Sequence, residues 1–248
     1  REESVIMFHR EDFSKALLKK ALQPGMRVMD IGCGSGELTR LAADIVGKEG
    51  DVVGIDINEQ LLWQARHDNG YANVSYQNAD LAALSSFETK SFDAIIGRRV
   101  LMYQKDPKKV IESLTPLLKP NGFYVFQESD AMCLELAKPS FVNMNKIQSL
   151  IWQTVEKEGG HIHIGSQLEQ LMLEAGLIVD HFVSENVIQT SQTGTDLSWL
   201  LNIMKERIQK YSDLQGLEDV NLQKELEENN DHFIRDCQFG IISHRVDE

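Results

Sequence analysis

Seven residues, Asp30-Ile31-Gly32-Cys33-Gly34-Ser35-Gly36, constrain this chain more than any other stretch. Three alternate glycines let a backbone turn tightly and bring its amides close to a ligand. The run before them, 27–31, is short and mostly apolar, as a buried strand is. The run after them, 37–46, sets Leu38, Leu41, Ala42, Ile45 and Val46 on one helical face. A strand, a glycine turn and a helix are therefore expected here. A second apolar run, 52–57, carries the carboxylate Asp56 near its end, and 59–67 reads as the following helix, which completes one βαβ unit.

The alternation continues downstream. Strands are expected at 74–77 and 92–96, and a helix at 107–118 with Asp106 as its cap, Pro107 at its first position and Pro120-Asn121-Gly122 as its stop. A strand at 122–126 follows. Strands that alternate with helices and are almost continuously apolar imply a parallel sheet covered on both faces. A helix at 12–22 precedes this core. Beyond Gln127 the pattern shifts to helices at 141–157 and 166–175, the latter with Ser166 and Glu169 at capping-box spacing. Strands at 177–183 and 237–243 then flank a charged helical stretch, 195–233, whose apolar stripe is Trp199, Leu200, Ile203, Met204, Ile208 and Tyr211. The expected architecture is α/β and doubly wound, with a mostly parallel sheet and helices on both faces. Residues 1–194 make its core, 195–233 a mobile helical lid and 234–248 its last strand.

A carboxylate at Asp56, behind the glycine turn, is placed to accept from both hydroxyls of a ribose, with Ile57 beside it. Nicotinamide dinucleotides use the same geometry, but their third glycine would fall at Glu37. Asp30 and Glu37 would also repel a pyrophosphate, whereas they tolerate a ligand with a cationic amino group and a sulfonium. S-adenosylmethionine fits better. After the third strand, Asn78-Ala79-Asp80-Leu81 offers a carboxylate to an adenine amino group and a neighbouring amide to its ring.

These segments, together with Leu118-Lys119-Pro120-Asn121-Gly122, resemble the successive motifs of class I S-adenosylmethionine-dependent methyltransferases over about 23–128. The likeness is to the branch of ubiquinone and menaquinone biosynthesis and of small-molecule natural-product enzymes, and it implies a Rossmann-like fold. By that resemblance Asp30, Gly32, Cys33, Gly34 and Gly36 hold the methionine part, Asp56 and Ile57 the ribose side, and Ala79, Asp80 and Leu81 the adenine. Arg98 would lie beside the methionine, or pair with Glu128 or Asp130. Candidates for a base are His161, His163, Tyr103, Glu128 and His9, because a positioned proton acceptor is the most such a displacement needs.

The segment Gly97-Arg98-Arg99-Val100 stands where amino-methylating nucleic-acid enzymes carry an Asn/Asp-Pro-Pro-aromatic motif, and Arg98 would repel a divalent cation, so no metal is expected. A formal net charge of −13 argues against a nucleic-acid partner. A small-molecule acceptor in a largely apolar pocket is expected instead. The three scattered cysteines form no CxxC pair, no run of about 18 uncharged apolar residues occurs, and the start Arg1-Glu2-Glu3-Ser4 is too acidic for a signal peptide. A cytoplasmic protein is expected, although the chain opens on Arg1 and a preceding segment stays open. A peptide or protein acceptor, a non-catalytic cofactor-binding module and a NAD-dependent oxidoreductase are the alternatives. Oligomeric state does not follow from these residues.

Overall fold

The computed structural model describes the backbone of residues 2–246 and the side chains of residues 11–246. In chain order the elements are α1 (Glu2–Ala21), β1 (Arg27–Ile31), α2 (Glu37–Val46), β2 (Asp51–Asp56), α3 (Glu59–His67), β3 (Val74–Asn78), β4 (Phe92–Arg98), α4 (Pro107–Leu114), β5 (Leu118–Asp130), α5 (Val142–Lys157), α6 (Ile164–Glu174), β6 (Leu177–Gln189), α7 (Leu197–Gln209), α8 (Leu222–Asn229) and β7 (Phe233–Arg245). The sheet runs β3-β2-β1-β4-β5-β7-β6. Pairs from β3 across to β5 are parallel, while β7 is antiparallel to both β5 and β6. This is the mostly parallel, doubly wound sheet that the alternation implies.

Strand pleating sorts the core into two layers. Val28, Val52, Ala94, Ile96 and Val125 pack against Leu17 and Leu18 of α1, Leu22 just after it, and Leu38, Ala42 and Val46 of α2. Their neighbours Met29, Val53, Ile95, Tyr124 and Phe126 face the other way, into a larger cluster with α4, α5, α6 and α7. Chain order reverses where β1 meets β4. In open α/β sheets the crevice outside the strand carboxyl ends at such a point is where ligands bind.

Four expectations change. The helix from Pro107 keeps its cap, Asp106 Oδ1 accepting from Lys109 N at 3.1 Å, but it ends at Leu114. Pro116 lies in a 3-10 turn, Thr115–Leu117, and β5 starts at Leu118, earlier than expected. The capping box at Ser166 does not form. Helix α6 begins at Ile164, and the Ser166 amide donates to Asp130 Oδ2 at 2.7 Å. Strands β6 and β7 are each 13 residues long, far beyond the apolar runs that announce them, because cross-strand pairing carries polar residues such as Ser184, Glu185 and Asn186 along the sheet edge. Lastly, the expected apolar stripe of the 195–233 segment is split between two faces. Leu197, Leu200, Leu201, Met204 and Ile208 are buried in the larger core. Trp199 and Ile203, from the same expected stripe, are exposed by 49% and 54%.

Candidate active site

A cleft opens at the carboxyl ends of β1, β2 and β4 and has two lobes of about 510 and 480 Å³. Asp30, Glu37, Arg98 and Trp199 line the first. The second is lined by Asp56, Ile57, Ala79, Asp80 and Leu81. Gly32, Gly34, Leu61, Arg99 and Tyr103 line both, so the lobes are continuous. The structure thus brings every expected cofactor-side residue except Gly36 to one cleft wall.

Gly36 is one layer behind. It has φ +82° at the start of α2, and a Cβ there would run into the Tyr76 hydroxyl. At Gly34 (φ +54°) an added Cβ would meet nothing nearer than Leu61 Cδ1 at 3.9 Å, so the space in front of this residue is open to a ligand. Asp56 pins the loop from below: Oδ2 accepts from Gly34 N and Oδ1 from Asn58 N, each at 2.8 Å. A carboxylate has about four acceptor positions, so two remain for ribose hydroxyls. Asp80 Oδ1 accepts from Ala82 N at 2.9 Å, which holds the 80–83 turn at the mouth of the second lobe. Asp30 is only 1% exposed and accepts from Thr39 Oγ1 at 2.6 Å. Burial pushes its carboxyl up to about 7, partly offset by the Thr39 hydroxyl and Arg98. Burial also pushes the Cys33 thiol up, which keeps it a thiol beside the cleft.

Arg98 lines the first lobe but pairs with neither Glu128 nor Asp130. Its Nη2 donates to Glu37 Oε2 and its Nη1 to Ser14 Oγ at 3.2 Å. The Glu11 carboxyl is also raised, first by burial and then by Glu37 beside it. Helix α1 therefore backs this wall through Ser14 and Glu11, a role the sequence did not signal.

The base candidates separate by location. Glu128 is fully buried and accepts from three amides, Val100 N (3.1 Å), Leu101 N (2.8 Å) and Met102 N (3.4 Å). It shapes the turn after β4 and lines neither lobe, which corrects its reading as a base; burial holds its carboxyl up at about 7 against those amides. Neither histidine lines the cleft either. His161 Nε2 lies 2.9 Å from Gln104 O, and the His161 amide donates to Met102 O at 2.8 Å, so it braces the turn that carries Tyr103. His163 Nδ1 lies 3.0 Å from Oδ1 of the fully buried Asp130. Tyr103 alone of the four lines both lobes. The His9 side chain lies outside the described residues.

The lobe expected to take the acceptor also carries polar groups on one wall. Gln127 and Ser129 from β5 and Asp236 and Gln238 from β7 all line the first lobe and are all nearly buried. Sequence reading missed them, although each pair is spaced by two in an apolar strand, the spacing that puts side chains on one face. Trp199 of α7 forms the outer side of the same lobe.

Residues 22–216 match the model of a family described as "Methyltransferase domain". The chain belongs to this methyltransferase family. It is 34% identical over 185 residues, 68% of its length and 70% of the relative's, to the ubiquinone/menaquinone biosynthesis C-methyltransferase UbiE of Yersinia enterocolitica. The counterpart from a Shewanella strain is 35% identical over 132 residues, about half (49%) of that relative. Among solved structures, a SAM-dependent methyltransferase from Aquifex aeolicus matches with a TM-score of 0.59 and 17% identity, over 94% of this chain and 89% of that one. Phosphoethanolamine N-methyltransferase 2 of Haemonchus contortus, in complex with S-adenosyl-L-methionine, matches at 0.59 and 21%, over 95% of this chain and 53% of that one. The methyltransferase uses S-adenosylmethionine as cofactor. Among the described residues no helix is long and apolar enough to cross a membrane.

Proposed function

We propose that this methyltransferase carries a methyl group to a small-molecule acceptor seated in the first lobe of the cleft, in a cytoplasmic setting that suits three buried, free cysteines. One observation carries the reading: Gly34 and Tyr103 line both lobes, so a ligand filling the second would present its reactive end to the first. The residues fit the cofactor by the open space in front of Gly34 and by the chemistry of the carboxylates around it. Asp30 and the 32–35 backbone would hold the methionine part, Asp56 and Ile57 the ribose side, and Ala79, Asp80 and Leu81 the adenine. When bound, S-adenosylmethionine supplies a methyl group on a sulfonium, open to in-line displacement by the acceptor.

Most of the protein's work is then positioning and exclusion of water. The Glu37–Arg98 pair closes the inner end of the methionine wall. Tyr103, half exposed between the lobes, is the one candidate placed to touch an acceptor and to hold or relay its proton. Trp199 covers the outer side, so α7 serves as a cover that is anchored through its opposite face. Titration calorimetry tests the cofactor half: S-adenosylmethionine and S-adenosylhomocysteine should bind in the micromolar range and NAD should be silent. The acceptor half is tested by homocysteine release against a metabolite library and against denatured peptide pools. Turnover confined to the peptides would replace a small-molecule acceptor by a protein one.

A further inference from the structure

Asp236 is 3% exposed and lines the first lobe. Its Oδ2 accepts from Ser129 Oγ at 2.7 Å, but its Oδ1 is buried without a hydrogen-bond partner. Among the described residues no cation makes an ion-pair contact with Asp236, although the charge of Arg235 is felt by it at longer range. Arg235, the next residue along β7, donates from Nε to Asp196 Oδ1 at 2.8 Å, and Arg98 pairs with Glu37. Gln127 donates its amide to Gln238 Oε1 at 2.6 Å, which leaves Gln238 Nε2 as a further group on the wall with no hydrogen bond among the described residues. A carboxylate oxygen closed off from water without a hydrogen-bond partner or a contacting cation is costly, and a cationic ligand would offset that cost. Trp199 stands on the same lobe, and an indole face attracts cations.

Resting on the methyltransferase reading above, we propose that Asp236 is the acceptor's anchor and that the acceptor carries a protonated amine, held by the Asp236 carboxylate, flanked by Gln238 and covered by Trp199. A buried carboxylate discriminates by charge. A cation gains a charge-assisted hydrogen bond where a neutral hydroxyl gains an ordinary one, and an anion is repelled. The anchor lies on the wall formed by β5 and β7, away from the carboxylates assigned to ribose and adenine but in the same lobe as Asp30 and Arg98, so the binding of S-adenosylhomocysteine to an Asp236 variant separates an acceptor anchor from a contact to the methionine part.

The test uses the full chain saturated with S-adenosylhomocysteine and three probes of one shape: 2-phenylethylamine, 2-phenylethanol and phenylacetate, each titrated calorimetrically at pH 7. The amine should bind at least tenfold tighter than the alcohol, and phenylacetate should not bind. In Asp236→Asn the amine should lose at least tenfold in affinity while S-adenosylhomocysteine binds within twofold of the parent protein. The thermal midpoint of the same variant, without ligand, should rise, because a buried charge is removed and the Ser129 contact is kept; a merely structural carboxylate would make it fall. Equal binding of amine and alcohol, tighter binding of phenylacetate, no binding of any probe, or unchanged amine affinity in the variant would each overturn the anchor. Failure of S-adenosylhomocysteine itself to bind would instead overturn the reading on which the anchor rests. Should the variant not fold, the ranking of the three probes on the parent protein decides alone.

Discussion

Asp30 and Asp56 end neighbouring strands, yet water reaches them differently, and each supports its own prediction. Asp56 is partly exposed and holds Gly34 through an amide. Asp56→Ala should weaken S-adenosylhomocysteine binding by roughly 10- to 100-fold, about 1.5–3 kcal/mol, through loss of a charged acceptor and of the loop's tether. Calorimetry with a circular-dichroism control checks it, and unchanged affinity in a folded variant would remove the residue from the site. Asp30 is buried, and its carboxyl sits at about 7 in the folded chain against 3.8 ordinarily. The folded state therefore holds a proton that the unfolded state releases. Stability from this group is fully present below about pH 4, wanes as pH rises toward 7 and is lost above it. Urea midpoints should fall between pH 5 and pH 8, and Asp30→Asn should flatten that slope; an equal slope in the variant would assign the effect to Glu128, raised to about 7 in the same sense. The glycine turn and both aspartates were legible because a backbone turn and its strand-end carboxylates are local features. Glu128 was misread because burial among three amides is set by a turn that the sequence does not mark.

Helix α7 shows how an element can serve the core and the site together. One face buries Leu200, Met204 and Ile208, while Arg207 near its end pairs with Glu158 at the end of α5 and also lies beside Tyr103. Its start is fastened by the Asp196–Arg235 pair, side chains 10% and 5% exposed. Met204→Ala should lower stability by about 2–5 kcal/mol, the usual range for emptying a buried site of this size, as measured by urea unfolding. Trp199, on the other face, is half exposed. Trp199→Ala should leave S-adenosylhomocysteine affinity within twofold and reduce acceptor turnover at least tenfold. If turnover survives Trp199→Ala intact, α7 is structural only. Removal of 195–233 as a unit is expected to expose the core, so the point variants are the discriminating ones. The helical period announced α7, but which apolar residues face inward depended on α5, far away in sequence.

At the scale of the whole molecule, β7 lies between β5 and β6 and pairs with both. Truncation after Asp231 would strip β5 of one neighbour and leave β6 unpaired, so the shortened chain should lose its cooperative melt in circular dichroism. A native-like melt would mean that β1 to β5 form a self-sufficient sheet. The same strand brings Asp236 and Gln238 to a cleft whose glycine turn lies some two hundred residues earlier in the chain. What the sequence determined alone was everything carried by short-range order: the strand and helix alternation, the glycine turn between β1 and α2, the carboxylates closing β2 and following β3, and hence the cofactor and the fold. Tertiary structure alone decided which polar residues share the acceptor wall, that Arg98 meets Glu37, and that His161 braces a turn and His163 meets Asp130, both outside the cleft. The physical reason is that periodicity and turn chemistry act over a few residues. Burial of a polar side chain, and the partner it finds there, depend on strands brought together only when the sheet closes.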